Sequence, residues 1–206
     1  MKKVLMSLMI IALVSALIGG GIYAVFSDVE SSTGNTFTAG TLNLVNVISG
    51  TAVNSSIAVT EQADGLNDKV EFGLTNPIRP GSSGTITWTL SNTGNLPGTL
   101  TMAAITSFGE GAAANEPELA ADPTNLVGLD TNLMVWVTRD GADVYGATGA
   151  YAPMSGLAGA LNAQSPTIGA GGSVVYVLNW QIPLATGNAI QGDTATLDIN
   201  FTLTQQ

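Results

Sequence analysis

Two stretches of sequence decide the fold: VEFGL at residues 70–74 and ITWTL at residues 86–90. In both, apolar side chains recur at every second position, and threonines occupy the positions between them in the second stretch. A period of two residues is typical of a half-buried β-strand, because successive side chains point to opposite faces of a sheet. Each stretch is therefore predicted to be a strand with one face in the core.

The same alternation recurs along the chain, between clusters of Gly, Asn, Asp and Pro that favour turns. Further strands are predicted at residues 42–48, 56–60, 100–102, 133–137, 174–180 and 197–203. Residues 110–128 and 147–172 lack the pattern and are predicted to be long loops, with one helical turn at residues 157–161. This spacing of short strands indicates an all-β fold, an antiparallel jelly-roll-like β-sandwich.

Charge is scarce and strongly acidic. The 206 residues include five basic and fifteen acidic side chains, for a net charge of −10. Affinity for nucleic acid depends on clustered Lys and Arg that neutralise phosphates, so nucleic acid is not an expected partner.

Two residue types that carry much of enzyme chemistry are missing. The chain has no cysteine and no histidine, which excludes disulfides, thiol nucleophiles, Ser-His-acid triads and His-Glu-x-x-His zinc sites. Pairs of carboxylates, as in glycosidases, are not excluded by spacing. The prediction is a protein that is not an enzyme.

The amino terminus resembles a secretory leader. Lys2 and Lys3 precede an almost wholly apolar stretch at residues 4–18, which Gly19-Gly20-Gly21 then interrupts. Residues 1–25 are predicted to be a cleaved signal peptide; a single-pass anchor is the alternative, although the three glycines weaken a spanning helix. Without the leader, three basic residues face fifteen acidic ones, a net charge of −12.

The leader and the segment after it resemble a known family. GGGIYAVFSD at residues 19–28 and STGNTFTAGTLNL at residues 32–44 are similar to TasA, camelysin and the archaeal bundling pilins. The resemblance implies cleavage by a dedicated signal peptidase between Val25 and Phe26. It also implies a secreted β-sandwich that polymerises into extracellular filaments of a biofilm matrix. Camelysin is described as a metalloprotease, an activity for which this sequence offers no histidine ligand.

Residues 26–40 are predicted to be an extended donor segment that precedes the sandwich domain at residues 41–206. The segment is rich in Ser and Thr and has few apolar residues to hold it to its own core. In strand addition, an extended peptide completes the open edge of another subunit while alternate side chains enter pockets. Phe26, Val29 and Phe37 are the predicted anchors, and the alternative for Phe37 is the first strand of its own sandwich.

The predicted function is therefore a pilus or biofilm-matrix subunit that forms a head-to-tail homopolymer by donor-strand complementation. Such filaments are expected at the cell surface, where they could also bundle laterally. The alternative is a monomeric carbohydrate-binding module, for which Trp88, Trp136 and Trp180 are candidate sugar platforms. Trp88 and Trp180 fall in phase with apolar strand faces, which favours the core for both.

Glu61, Asp64, Asp68 and Glu71 are a candidate calcium site, because carboxylate oxygens are the ligands that calcium prefers. Their spacing is not that of an EF-hand, and a solvated acidic turn is the favoured alternative. No other cofactor is expected. Asn54 and Asn200 begin N-glycosylation sequons, and Asn200 is predicted to point away from the core.

Overall fold

The computed structural model describes residues 3, 4, 6, 8–12, 40–53, 57–61, 67–72, 78–109, 128–188, 190 and 192–205. The chain divides into two compact units, Met1–Ala39 and Gly40–Gln206. In the first unit the described residues are helical, and their apolar side chains are exposed. No helix among the described residues is long and apolar enough to cross a membrane.

The second unit is built mainly from strands. They are β1 Leu44–Val53, β2 Ile57–Glu61, β3 Asn67–Phe72, β4 Ser83–Asn92, β5 Gly98–Gly109, β6 Met134–Arg139, β7 Ala142–Tyr145, β8 Ala152–Pro153, β9 Thr167–Ile168, β10 Ser173–Gln181 and β11 Thr194–Gln205. Two short helices, α1 Leu129–Asn132 and α2 Leu157–Asn162, and two 3-10 turns, Met154–Gly156 and Leu184–Thr186, complete the described elements.

The strands form two antiparallel sheets. The first has the order β1-β4-β10-β6-β7, with β8 also paired to β6, and the second has the order β2-β3-β11-β5-β9. Of the first four strands, β1 and β4 lie in the first sheet, and β2 and β3 lie in the second. Of the longer strands that follow, β6 and β10 lie in the first sheet, and β5 and β11 lie in the second. Two four-strand units folded across two sheets are typical of jelly-roll-like sandwiches. The predicted fold class is confirmed.

The core lies between the sheets, where the two-residue period of the sequence places the apolar side chains. The inner faces of β4, β10 and β11 supply buried residues at every second position: Ile86, Trp88 and Leu90; Tyr176, Leu178 and Trp180; Leu197, Ile199 and Phe201. Rings from opposite sheets meet edge to face, with the Phe72 and Trp180 centroids 5.3 Å apart. Trp88 and Trp180 are each 1% exposed, as their phase predicts.

The segment predicted to be a loop at residues 147–172 contains more structure than the sequence indicates. The predicted helical turn is present as α2, and Leu157 and Leu161 bury its inner face. β8 and β9 also lie in this segment and have two residues each. Strands this short contain no full period of alternation, so the sequence pattern does not reveal them. Residues 110–127 lie outside the described residues.

Candidate functional site

The second sheet is incomplete at one end of β11. This strand pairs with β5 as far as Gln205, but its pairing with β3 ends at Asn200, opposite Asn67. In the described part of the chain, no strand pairs with residues 201–205 on the side where β3 would continue. Among the described residues, the end of β11 is therefore a sheet edge.

Backbone groups at this edge point outward. The N–H of Leu100 in β5 donates to the carbonyl of Pro166, on the side away from β11. Leu203 lies opposite Leu100, and backbone groups of successive strand residues alternate in direction. The N–H and C=O of Leu203, and those of Phe201 two residues earlier, are consequently directed away from β5. A further strand would find ladder donors and acceptors here.

A groove of about 370 Å³ lies beside this edge. One wall is the start of β1 and the residues before it, and the other is the end of β11. The lining residues are Leu42, Asn43, Leu44, Asn200, Phe201, Thr202 and Leu203. None of them is charged, although the chain as a whole has a net charge of −10. The groove suits an uncharged, partly apolar segment.

The wall before β1 is held by the turn between β4 and β5. The N–H of Thr41 donates to Oδ1 of Asn95 at 2.6 Å, and the carbonyl of Thr41 accepts from the N–H of Asn95 at 2.9 Å. Asn43 accepts from the N–H of Thr93 at 2.8 Å. These bonds fix the chain on both sides of Leu42, so this wall is formed without any ligand.

Gly98 of β5 lies beneath the groove. A Cβ atom at this position would lie 2.8 Å from Cγ of Leu203 and 3.1 Å from Cδ2 of Leu42. The absence of a side chain therefore lets leucines from both walls approach the same point of the second sheet.

The predicted donor anchors Phe26, Val29 and Phe37 lie outside the described residues, as does the predicted cleavage point at Val25 and Phe26. Their roles stay predictions. Leu44, in contrast, starts β1 of its own sandwich, as predicted.

The candidate calcium residues do not all converge. Asp68 is 1% exposed and points into the sandwich, whereas Glu71 forms an ion pair with Lys69 at 2.5 Å, which raises the pKa of that lysine. Since Asp68 and Glu71 are three residues apart in β3, they lie on opposite faces of the strand. Asp64 and the side chain of Glu61 lie outside the described residues, and calcium binding stays a prediction.

Asp68 instead takes part in a buried contact between the sheets. Nδ2 of Asn46 in β1 donates to Oδ2 of Asp68 in β3 at 2.6 Å, and Asn46 is 4% exposed. The sequence does not predict this pair, although the phase of Asp68 with Val70 and Phe72 places it on the inner face of β3. The pair ties the edge strand β1 to the opposite sheet.

The two sequons differ in what the structure describes. Asn54 lies outside the described residues. Asn200 is exposed on the outer face of β11, opposite the small side chain of Ala103, in the predicted orientation. Glycosylation of either asparagine stays a prediction.

One tryptophan lies on an outer face. Trp136 is half-buried, and its Nε1 donates to Oδ1 of Asp143 at 2.6 Å. Its ring centroid lies 6.3 Å from that of Tyr151, edge to face. Trp136 is therefore the described tryptophan that a surface ligand can reach.

No group of three or more His, Cys, Asp or Glu residues able to hold a metal ion occurs in the described part of the chain. Since the full sequence contains neither histidine nor cysteine, oxygen atoms are the principal metal ligands that it offers.

Part of the chain is similar to a known protein family. A family model described as camelysin metallo-endopeptidase matches residues 1–107, which include the predicted leader and donor segment, the Leu42–Leu44 wall of the groove and most of β5. Neither a curated protein sequence nor a solved structure shows a significant match to the chain.

Proposed function

Because the chain belongs to the camelysin family of secreted, biofilm-related proteins, we propose that it is a structural subunit of extracellular filaments. In this proposal the mature amino-terminal segment of one copy completes the second sheet of the next. The observation that carries it is the end of β11, which pairs on one side only within the described residues and lies beside an uncharged groove. Membership of this family supports a location outside the cell or at its surface.

The proposed occupant of the groove is the segment at residues 26–39 of a neighbouring copy. At about 3.3 Å per residue, the free edge at residues 201–205 of β11 accommodates about five donor residues. Residues 32–39 carry no charge and contain Phe37, which matches the neutral and apolar lining. Phe26 and Val29 would anchor the rest of the segment beyond the groove.

Such an exchange produces a filament because the two surfaces involved differ. The donor segment precedes the sandwich and the acceptor edge belongs to its last strand, so the contact is heterologous and leaves one donor and one acceptor free at the ends. Ladder hydrogen bonds supply affinity, and side-chain pockets supply register. A chain without cysteine thereby gains a durable contact without disulfides.

Catalysis of the kind in the family's description does not fit these residues. A zinc-dependent endopeptidase uses nitrogen ligands from histidine and a positioned general base, and the sequence has no histidine. A set of three acidic ligands is not assembled in the described residues either. We therefore assign this member a structural role and no hydrolytic step.

Lateral bundling and calcium extend the same proposal. On the outer face of the first sheet, the described residues of β1, β4 and β10 carry no charge. Val45 and Val47 of β1 are 40% and 58% exposed on this face. Two filaments of acidic subunits meet with least repulsion on such a face. Calcium would lower the remaining repulsion, since each copy without its leader carries a net charge of −12.

Electron microscopy of two chains tests filament formation. A chain that begins at Phe26 is expected to form regular filaments, and a chain lacking residues 26–34 is expected to stay monomeric, each with and without calcium. Monodisperse particles from both chains under all conditions would overturn the proposal. A monomer of the longer chain whose amino terminus is protected from proteolysis would mean insertion into its own groove, which also contradicts polymerisation.

Peptide binding tests the groove directly. A synthetic peptide of residues 26–39 is expected to bind residues 40–206 in a one-to-one complex by calorimetry. Leu203→Lys puts a charge in the neutral groove and is expected to weaken binding at least about tenfold. Leu184→Lys is the matched control, because Leu184 is 84% exposed and does not line the groove. Equal affinity of the two variants would place the peptide elsewhere.

Trp136 favours a second candidate, the monomeric carbohydrate-binding module. An accessible indole held in place by Asp143 is a platform on which a sugar ring can stack. Trp88 and Trp180 are buried, so a change in tryptophan emission on adding neutral oligosaccharides would report Trp136. Loss of that change in Trp136→Phe, together with failure to polymerise, would favour the binding module.

A further inference from the structure

One side chain of α2 takes the place of a neighbouring strand on β5. Oδ1 of Asn162 accepts from the backbone N–H of Ala104 at 2.6 Å, and Nδ2 of Asn162 donates to the backbone carbonyl of Ala104 at 3.1 Å. A residue in an adjacent antiparallel strand makes the same two bonds to its partner. The carboxamide thus occupies the donor and the acceptor that Ala104 directs away from β11.

The helix that carries Asn162 is anchored on both sides of this contact. Leu157 and Leu161 are buried in the core. Just after the helix, Gln164 accepts a hydrogen bond from Nη1 of Arg139 at 2.7 Å, which ties the segment to β6. Asn162 is therefore held over β5 by neighbours that do not depend on its own hydrogen bonds.

Other short elements cover the same edge. β9 pairs with Gly98 and Thr99, and the carbonyl of Pro166 accepts from the N–H of Leu100 at 2.9 Å. At Gly98 and Thr99, at Leu100 and at Ala104, the outer edge of β5 is thus met by a two-residue strand, a carbonyl and a side-chain amide, respectively. Short edge strands and covering elements are known devices against unwanted pairing of sheets.

On the opposite side of the sandwich, the described residues show no comparable cover over the strand edges. The ten-residue strand β1 ends the first sheet there, and β11 is unpaired beyond Asn200 on that side within the described residues. A sandwich with two open sides could add strands at both, and its assembly would branch. One covered side leaves one direction for strand addition.

We infer that Asn162 closes the β5 edge against pairing with a second copy of this chain, so that copies join only at the open side. The partner that the closure excludes is β5 of another molecule, packed antiparallel through the backbone of Ala104. The role of Asn162 as a closure does not require strand donation, whereas its consequence for the direction of assembly rests on the proposed function.

The test uses residues 40–206, which contain all the described core residues and form one compact unit, and repeats it in the chain that begins at Phe26. In the shorter protein Asn162→Ala is expected to form a dimer, with a dissociation constant at least about tenfold below that of the parent by sedimentation equilibrium. Asn162→Asp keeps the acceptor for the Ala104 N–H but loses the donor, so intermediate dimerisation is expected. Asn188→Ala, at an exposed asparagine in the connection between β10 and β11, is the control and should match the parent.

A rescue variant locates the contact. Ile105 is 62% exposed on the outer face of β5, where a lysine from each copy would repel its counterpart across a β5–β5 pair. Asn162→Ala with Ile105→Lys is therefore expected to return to the monomer. In the longer chain, Asn162→Ala is expected to give branched or clumped assemblies in place of single filaments.

Two results would overturn the inference. One is a folded Asn162→Ala protein, checked by circular dichroism, that stays as monomeric as the parent. The other is a dimer that Ile105→Lys does not dissociate, because its contact would then lie away from β5. Both readouts use a protein without the donor segment, so failure of the filament proposal would leave them unchanged.

Discussion

The hydrogen bond between Asn46 and Asp68 leads to a prediction about stability. Replacing Asn46 by leucine keeps a side chain of similar size but removes the donor that lies 2.6 Å from Oδ2 of Asp68. Both residues are nearly inaccessible, at 4% and 1% exposure, so water cannot supply a replacement bond without opening the sandwich. Loss of a buried hydrogen bond to a carboxyl group costs about 1.5–3 kcal/mol.

A loss of about 2 kcal/mol should lower the melting temperature by about 4–8 °C in a domain of this size. Urea unfolding followed by tryptophan emission measures the change, because Trp88 and Trp180 lie in the core. Asn200→Ala, at an exposed asparagine, is the control and should change stability by less than about 0.5 kcal/mol.

The double variant provides a sharper comparison. When both partners of a buried hydrogen bond become apolar, neither polar group is left without its partner, and the cost can nearly vanish. Asn46→Leu with Asp68→Leu is therefore expected to be more stable than Asn46→Leu alone. If the single change costs less than about 0.5 kcal/mol, or the double variant is less stable by the sum of both single changes, the pair does not hold β1 to the second sheet.

Three further predictions concern packing, a turn and pH. Gly84→Ala should lower the free energy of unfolding in urea by about 1–3 kcal/mol, because the new methyl group would collide with the backbone carbonyl of Thr51. A smaller loss would mean that β1 can shift away from β4 at little cost. Asp193→Ala should cost about 2 kcal/mol or more by the same measurement, since Oδ2 of Asp193 accepts from the N–H of Gly128 at 2.6 Å; Asp193→Asn should recover part of that loss. Burial raises the pKa of Tyr176 above 10.0, and Arg139 opposes this only in part. The folded protein therefore holds this proton more tightly than the unfolded chain, and the stabilisation is complete below pH 10.0 and lost as pH rises through the raised pKa. Unfolding midpoints should fall less steeply above pH 10 in Tyr176→Phe than in the parent, and parallel profiles would contradict this assignment.

The strands could be predicted because their signal is local. A strand's two faces follow from alternation alone, so Trp88 and Trp180 could be assigned to the core and Asn200 to the surface before any contact was known. The acidic residues near β3 show the limit of this approach. Asp68 shares its phase with Val70, but its partner Asn46 lies 22 residues earlier in another strand, so the local sequence favours a solvated turn.

The candidate site could be predicted only in part. The composition of the uncharged stretch around Phe37 predicts a donor segment. Nothing in the sequence indicates which strand edge would accept that segment. The proposed acceptor edge follows from register: within the described residues β3 reaches only the partner of Asn200, while β5 pairs to the end of β11. Whether one strand extends beyond its neighbour depends on the register between them, and for strands that are distant in sequence only the structure gives that register.

The sequence by itself determined the class of fold, the acidic character and the absence of histidine and thiol chemistry, since these depend on composition and on neighbours one or two residues away. Tertiary structure alone decided which sheet edges are covered. Asn162 meets Ala104 across 58 residues, and Leu42 meets the end of β11 across most of the chain. Such pairings depend on how the two sheets stack and on which side each connection crosses, and these are properties of the whole sandwich.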